Sequence, residues 1–290
     1  MSNFKVFKYM RNAIPGLTIL AALSFAAPTF AAQSPATSNT IKVKRPVTTP
    51  EEKSWSVDLG LETYSNLMKE DAYERDSATS LEVSAGYRFN KITSMRLTGT
   101  LVKENSGAQN TYFDNTIASL SFKTPLTTDT AWINTLAGVL PTNRQLQDET
   151  SYQGAVRIGT KLAFNNLFWS SSATTALQAT RNFHEYNVTA DGGFNIRNNL
   201  QGVLTYNLPL FSKLSLQTLF VYTTGWTYLE DTRQKFSVGA DLAWQFTPAF
   251  SGYIGTSNEG NALKANGIDS NIEFFNDTSS IVKAGLSYSI

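Results

Sequence analysis

The stretch that decides the fold is Lys235-Phe236-Ser237-Val238-Gly239-Ala240-Asp241-Leu242-Ala243-Trp244-Gln245-Phe246. Phe236, Val238, Ala240, Leu242, Trp244 and Phe246 occupy one side of an extended chain, and Lys235, Ser237, Asp241 and Gln245 occupy the other. Successive side chains of a strand point to opposite faces, so this period of two predicts a β-strand with one wholly apolar face. The same alternation recurs before and after it. Trp55, Val57, Leu59 and Leu61 oppose Ser54, Ser56, Asp58, Gly60 and Glu62; Leu81, Val83, Ala85, Tyr87 and Phe89 oppose Glu82, Ser84, Gly86 and Arg88. Tyr152, Val156, Ile158, Leu162 and Phe164 oppose Gln153, Arg157 and Lys161, and Val282, Ala284, Leu286, Tyr288 and Ile290 oppose Lys283, Ser287 and Ser289. No charge falls on the apolar face of these five runs. Lipid would enforce that segregation, because a basic side chain facing it at mid-membrane costs about 2–4 kcal/mol, but a soluble sheet core enforces it too.

Connection lengths separate the two. Tight links fall near Asn90-Lys91, Pro125, Asn165-Asn166, Phe211-Ser212 and Pro248, each between two alternating runs. Longer polar links, 66–77, 104–112, 141–151, 181–199, 229–234 and 257–279, lie between them. Short and long connections thus alternate, as in a membrane barrel whose turns face one side and whose loops face the other. A β-sandwich has no reason to sort its loops so. With both ends of the barrel segment on the short-turn side the strand number is even, about twelve. Phe89, Phe122, Phe164, Phe168, Trp169, Phe211, Phe246, Phe250 and Tyr288 accompany the short turns, and Tyr64, Tyr112, Tyr152, Tyr222, Trp226 and Tyr228 the long loops. Two bands of aromatics at opposite strand ends match interfacial girdles.

Composition works by exclusion. The 290 residues include one histidine and no cysteine, so disulfides, cysteine-ligated metals and thiol nucleophiles are ruled out. A net charge of +1 gives no electrostatic case for nucleic acid, and a mean hydropathy of -0.21 excludes a bundle of apolar helices. Lys5, Lys8 and Arg11 followed by the apolar run 13–27 and Thr29-Phe30-Ala31 predict a cleaved signal peptide over 1–31. Its loss removes three of the 24 basic residues and none of the 23 acidic ones. The segment 32–53, rich in Pro, Ser, Thr and charge, reads as a flexible periplasmic linker ahead of a barrel over 54–290.

At this point the chain resembles the Gram-negative outer-membrane β-barrel proteins as a class. The closing run Val282-Lys283-Ala284-Gly285-Leu286-Ser287-Tyr288-Ser289-Ile290 is similar to the C-terminal strand signal of that class, which most often ends in Phe where this chain has Ile290. The resemblance implies an all-β transmembrane antiparallel up-and-down barrel, integral to the outer membrane. Implied partners are outer-membrane lipids and lipopolysaccharide, with the barrel assembly machinery and periplasmic chaperones during biogenesis; no nucleic acid is implied.

Three functional classes follow. A barrel of about twelve strands lies where a narrow pore is possible, between side-chain-filled small barrels and wide porins. The polar face carries Arg88, Arg96, Lys123, Arg157, Lys161, Lys235 and Lys283 against Asp58, Glu62, Glu82 and Asp241. That basic excess would favour anionic solutes, whereas pairing of the acids with four of the bases would leave a polar plug. A second class is a structural or surface-recognition barrel acting through the loops 181–199 and 257–279. Within another loop, Glu70, Asp71, Glu74 and Asp76 lack the ligand spacing and central Gly of an EF-hand and read as solvated charge. The third class is a hydrolase using His184, in Asn182-Phe183-His184-Glu185-Tyr186, as base. No Ser motif accompanies it, no Asp-x-His unit occurs, and HExxH, GxxxxGK[ST] and a strand-borne GxGxxG are missing, so no cofactor is expected.

Overall fold

Alternation with β-branched and aromatic residues becomes a continuous antiparallel ladder. The computed structural model describes residues 54–68, 75–107, 109–264, 267, 269–276 and 279–290. The expected signal peptide 1–31 and linker 32–53 lie outside them. The strands are β1 (Trp55–Asn66), β2 (Ser77–Arg88), β3 (Thr93–Glu104), β4 (Thr111–Phe113), β5 (Thr116–Pro125), β6 (Thr130–Leu140) and β7 (Tyr152–Phe164). They continue as β8 (Ser172–His184), β9 (Ile196–Pro209), β10 (Leu214–Thr227), β11 (Thr232–Gln245), β12 (Phe250–Asn261) and β13 (Ser280–Ser289), and the helix α1 (Arg144–Thr150) lies between β6 and β7.

Neighbours in sequence pair with one another, and β13 returns to β1 in a register running from Asp58↔Ser289 to Asn66↔Ile281. Closure leaves no edge strand to template aggregation. Because β4 and β5 both pair with β3 and are separated only by Asp114 and Asn115, thirteen strands make twelve staves. The result is a closed, antiparallel, twelve-strand barrel.

Its two faces are inverted relative to a soluble protein. Ile158 is 60% exposed and Leu61 46%, while Asp241 is 1% exposed and Lys283 6%. Apolar side chains point outward all round, and the polar parity points into the lumen. A wall with that polarity matches a hydrocarbon surround, since isolated ions could not be buried in an apolar core without partners.

The connections are sorted by length. Trp55 and Ile290 lie at one end, where the backbones of Val57 and Ile290 exchange hydrogen bonds of 2.9 and 3.3 Å. At that end lie the four-residue turns 89–92, 126–129, 210–213 and 246–249 and the seven-residue turn 165–171. The turn residues close them: Asn90 Oδ1 accepts the N–H groups of Ile92 and Thr93, both at 2.8 Å. Several long links are shorter than their polarity implies. β8 runs on to His184 and β9 starts at Ile196, so 181–199 contracts to 185–195, and 229–234 becomes the four-residue turn 228–231. Strands here do not stop where polarity begins, because the ladder satisfies the backbone whether or not lipid surrounds it.

Aromatic placement also needs correction. Gly154 takes φ +128 in a bulge that shifts the register of β7 against β8, and this turns Tyr152 inward against Val139 and Ala155. Tyr64 and Tyr112 also lie on the inward parity, opposite Lys283 and Val102. The outward band near the long loops therefore keeps Tyr222 and Trp226 but loses these three tyrosines. At the short-turn end Phe168 and Trp169 project from the turn 165–171 with exposures of 87% and 83%.

Candidate functional site

The lumen is the candidate site, and its charges divide by wall. β11, β12, β13, β1, β2 and β3 form one contiguous arc across the closing seam, and the four acids expected there, Asp58, Glu62, Glu82 and Asp241, are engaged. Lys283 Nζ lies 3.1 Å from Asp241 Oδ2, two staves away. The intervening residue is Gly255, whose register pairs it with both Asp241 and Lys283. One row toward the short turns, Tyr253 donates its hydroxyl to Glu62 Oε2 across Gly285, and Lys283 Nζ sits 5.8 Å from the centroid of the Tyr253 ring. Nearer the short turns, Asp58 accepts from Arg96 at 2.5 Å and from the Ser289 hydroxyl. Glu82 accepts from Ser84 Oγ at 3.3 Å. Asp241, Lys283 and Glu62 are all buried, as are Gln217, Leu219 and Val221 on the adjoining β10, so side chains fill this side of the lumen.

The opposite wall differs. Lys123 on β5 pairs in register with Ile133 on β6, which pairs with Lys161 on β7. Two ammonium-bearing positions thus flank one inward Ile, about 10 Å apart at two strand spacings. Both lysines are exposed, on the inward parity, near the short-turn end. Arg157 stands on the same face of β7 nearer its middle. Among the described residues none of these three has a salt-bridge partner, and Arg157 Nε is buried without a hydrogen-bond partner. Arg88 is inward at the foot of β2. Lys235 is inward near the top of β11, within electrostatic reach of Glu259. Sequence reasoning passed over Glu259 and Tyr253, although both sit on the same parity of β12. It also passed over Gly255 and Gly285, whose role depends on cross-strand neighbours.

The described loops that cover the long-loop end are organised by side-chain caps. Asn143 Oδ1 accepts the Leu146 N–H at 3.0 Å and starts α1. Asn143 is itself held at the break between β4 and β5, with its N–H donated to Asn115 Oδ1 at 3.2 Å and its amide to Asp114 Oδ1 at 3.3 Å. Leu146 and Ile117 both pack against the inward cluster of Val139, Tyr152 and Ala155. α1 is therefore tucked inside the mouth. Asn195, 2% exposed, binds it to the next loop, its Nδ2 donating to the carbonyls of Thr150, Tyr186 and Val188 at 2.8, 2.9 and 3.1 Å.

His184 ends β8 beside this loop pair. Its Nδ1 lies 3.5 Å from the Tyr228 hydroxyl, and its ring packs edge-on against Tyr152 and Tyr228. Of the acidic loop cluster, Glu70, Asp71 and Glu74 lie outside the described residues, and Asp76 accepts from the Tyr64 hydroxyl at 3.4 Å. Burial holds the Asp76 carboxyl above its ordinary range against the opposing effect of that bond.

No protein-family model matches the chain, and no curated protein sequence matches it. Among solved structures the chain is similar to an outer membrane channel from Pseudomonas putida F1, with 11% identity and a TM-score of 0.56 over 84% of this chain and 100% of that one. It is also similar to the NanC porin, with 8% identity and a TM-score of 0.52 over 80% and 98%. At such identities the likeness is one of architecture, and the chain has the fold of the outer-membrane β-barrel proteins.

Proposed function

We propose that this protein is a narrow porin-like channel for small solutes across the outer membrane, with a preference for anions. The observation that carries the reading is the unequal state of the lumenal charges. On the seam wall Asp58, Glu62, Glu82 and Asp241 are tied to Arg96, Lys283, Tyr253 and Ser84, and Glu259 near the long-loop rim is within electrostatic reach of Lys235, whereas Lys123 and Lys161 stand exposed on the opposite wall. A polar plug would bind both sets. Exposed cations on one wall make a track that attracts anions and repels cations where the dielectric is low. The shared architecture with an outer membrane channel and a porin supports the channel part of the reading.

Planar-bilayer recording of the purified protein under a salt gradient tests it. Unitary conductance with a reversal potential displaced toward the chloride potential is expected, and Lys123→Gln with Lys161→Gln should reduce the displacement severalfold. Absence of unitary steps overturns the channel; a cation-preferring pore overturns the anion preference. A second reading, a non-conducting recognition barrel, is favoured by the interlocked outer loops, since Asn195 fixes both in one arrangement. It requires ligand or phage binding that disappears when 185–195 is deleted from a barrel that still assembles.

A further inference from the structure

Charge reverses along the barrel axis. In the connections at the long-loop end, α1 included, acidic residues outnumber basic ones ten to three among the described residues. Asp148, Glu149, Glu185, Asp191, Glu230 and Glu273 are all exposed, and the bases set against the acids are Arg75, Arg144 and Lys264. Just inside this rim, Glu259 on the inward parity of β12 faces Lys235 and Arg233 on that of β11, so the acidic excess is carried by the connections themselves. The other end has the opposite sign. Its turns carry Lys91 and Lys213 against Asp129, and the lumen directly above them holds Arg88, Lys123 and Lys161 besides the Arg96–Asp58 pair. No single pair produces this pattern, which is a property of where the loops and the lumenal bases fall on a sorted barrel.

Resting on the channel reading, we propose that the pore is a current rectifier, passing more current when the long-loop side is positive. The sign follows from which ion each mouth admits. With the long-loop side positive, cations are driven in through the acidic mouth and anions through the basic one, so both accumulate between them and conductance rises. With the opposite polarity each mouth must admit the ion it repels, and the middle is depleted. The same arrangement gives Lys123 and Lys161 a second role as the positive half of the junction. It also predicts a strong dependence on salt. The screening length is about 10 Å at 0.1 M and about 3 Å at 1 M, so the rim and lumen fields span a narrow mouth only in dilute salt.

Single-channel current is compared at equal and opposite voltages in about 0.1 M and about 1 M potassium chloride. Orientation is fixed by Asn187→Cys in this cysteine-free chain, because a bulky thiol reagent then perturbs the current only from the long-loop chamber. The expected current ratio is on the order of twofold in dilute salt, larger with the long-loop side positive, and falls toward one in concentrated salt. Lys123→Gln with Lys161→Gln should flatten it from one end, and Glu149→Gln, Glu185→Gln and Glu259→Gln together from the other. A conducting but symmetric pore, rectification of the opposite sign, or rectification that survives both sets of substitutions overturns the inference while leaving the channel standing. A silent bilayer removes the channel itself and the rectifier with it.

Discussion

A methyl group on Gly255 would lie 1.9 Å from Asp241 Oδ1 and 2.5 Å from the Ala240 carbonyl oxygen. One on Gly285 would lie 2.5 Å from the Tyr253 ring. These glycines are notches over which a side chain crosses one strand to reach the next but one. Gly255→Ala is therefore expected to displace Asp241 from Lys283 and destabilise the barrel by about 1–3 kcal/mol. The readout is a lower temperature at which the folded band of an unboiled gel converts to the unfolded one. Gly260→Ala is the control, since its new carbon would meet only Phe236 Cε1, at 3.7 Å. Equal effects of the two would remove the notch argument. The ion pair itself is buried on both sides, with side-chain exposures of 7% and 1% for Lys283 and Asp241. Asp241→Asn should cost about 3–5 kcal/mol by leaving an ammonium buried without its counter-charge. Combining it with Lys283→Met should recover much of that loss, and the coupling in a double-mutant cycle measures it.

At the scale of elements, the inward placement of α1 rests on Leu146 packing and two asparagines. Asn195→Ala removes three hydrogen bonds to carbonyls of two different loops, and Asn143→Ala removes the N-cap, worth about 1 kcal/mol. Either substitution should release amide protection in α1 and in 185–195 while β5–β8 keep theirs, as read by hydrogen exchange. Loss of strand protection together with the loops would show that the loops are part of the wall and not a cover on it. Little of this was legible in the sequence. Strand position, face and even strand number follow from a local period of two. The seating of a loop depends on which residues the barrel brings beneath it, and the Val139, Tyr152 and Ala155 cluster on which Leu146 and Ile117 pack is assembled only by the registers of β5, β6 and β7. Tyr152 fails for a related reason: a single bulge at Gly154 reverses parity, and only the positive φ reveals it. Pairings such as Asp58 with Arg96, 38 residues apart, require the register between strands, which no one-strand pattern contains.

At the scale of the whole molecule, the wall is inverted: apolar residues are exposed all round, while Asp241, Lys283 and Glu62 are buried within. Most of that inversion was readable in the chain because it is parity repeated down every strand. What the chain alone could not assign was which lumenal wall stays exposed, since that depends on the seam network formed by residues far apart in sequence. Inversion makes a prediction that no soluble β-barrel shares. Ile158 lies at the middle of β7, faces outward and is 60% exposed, and Thr205 on β9 faces inward. In water, arginine at Ile158 would be harmless and arginine inside a packed core would not. In a bilayer the order reverses. Ile158→Arg should cost about 2–4 kcal/mol and reduce folding into vesicles, while Thr205→Arg, on the lumenal face beside the packed Leu219 of β10, should lose less. The heat-dependent gel shift after refolding into vesicles reports both. Equal yields, or a greater loss for Thr205→Arg, would mean that the exposed apolar face is not the one lipid covers.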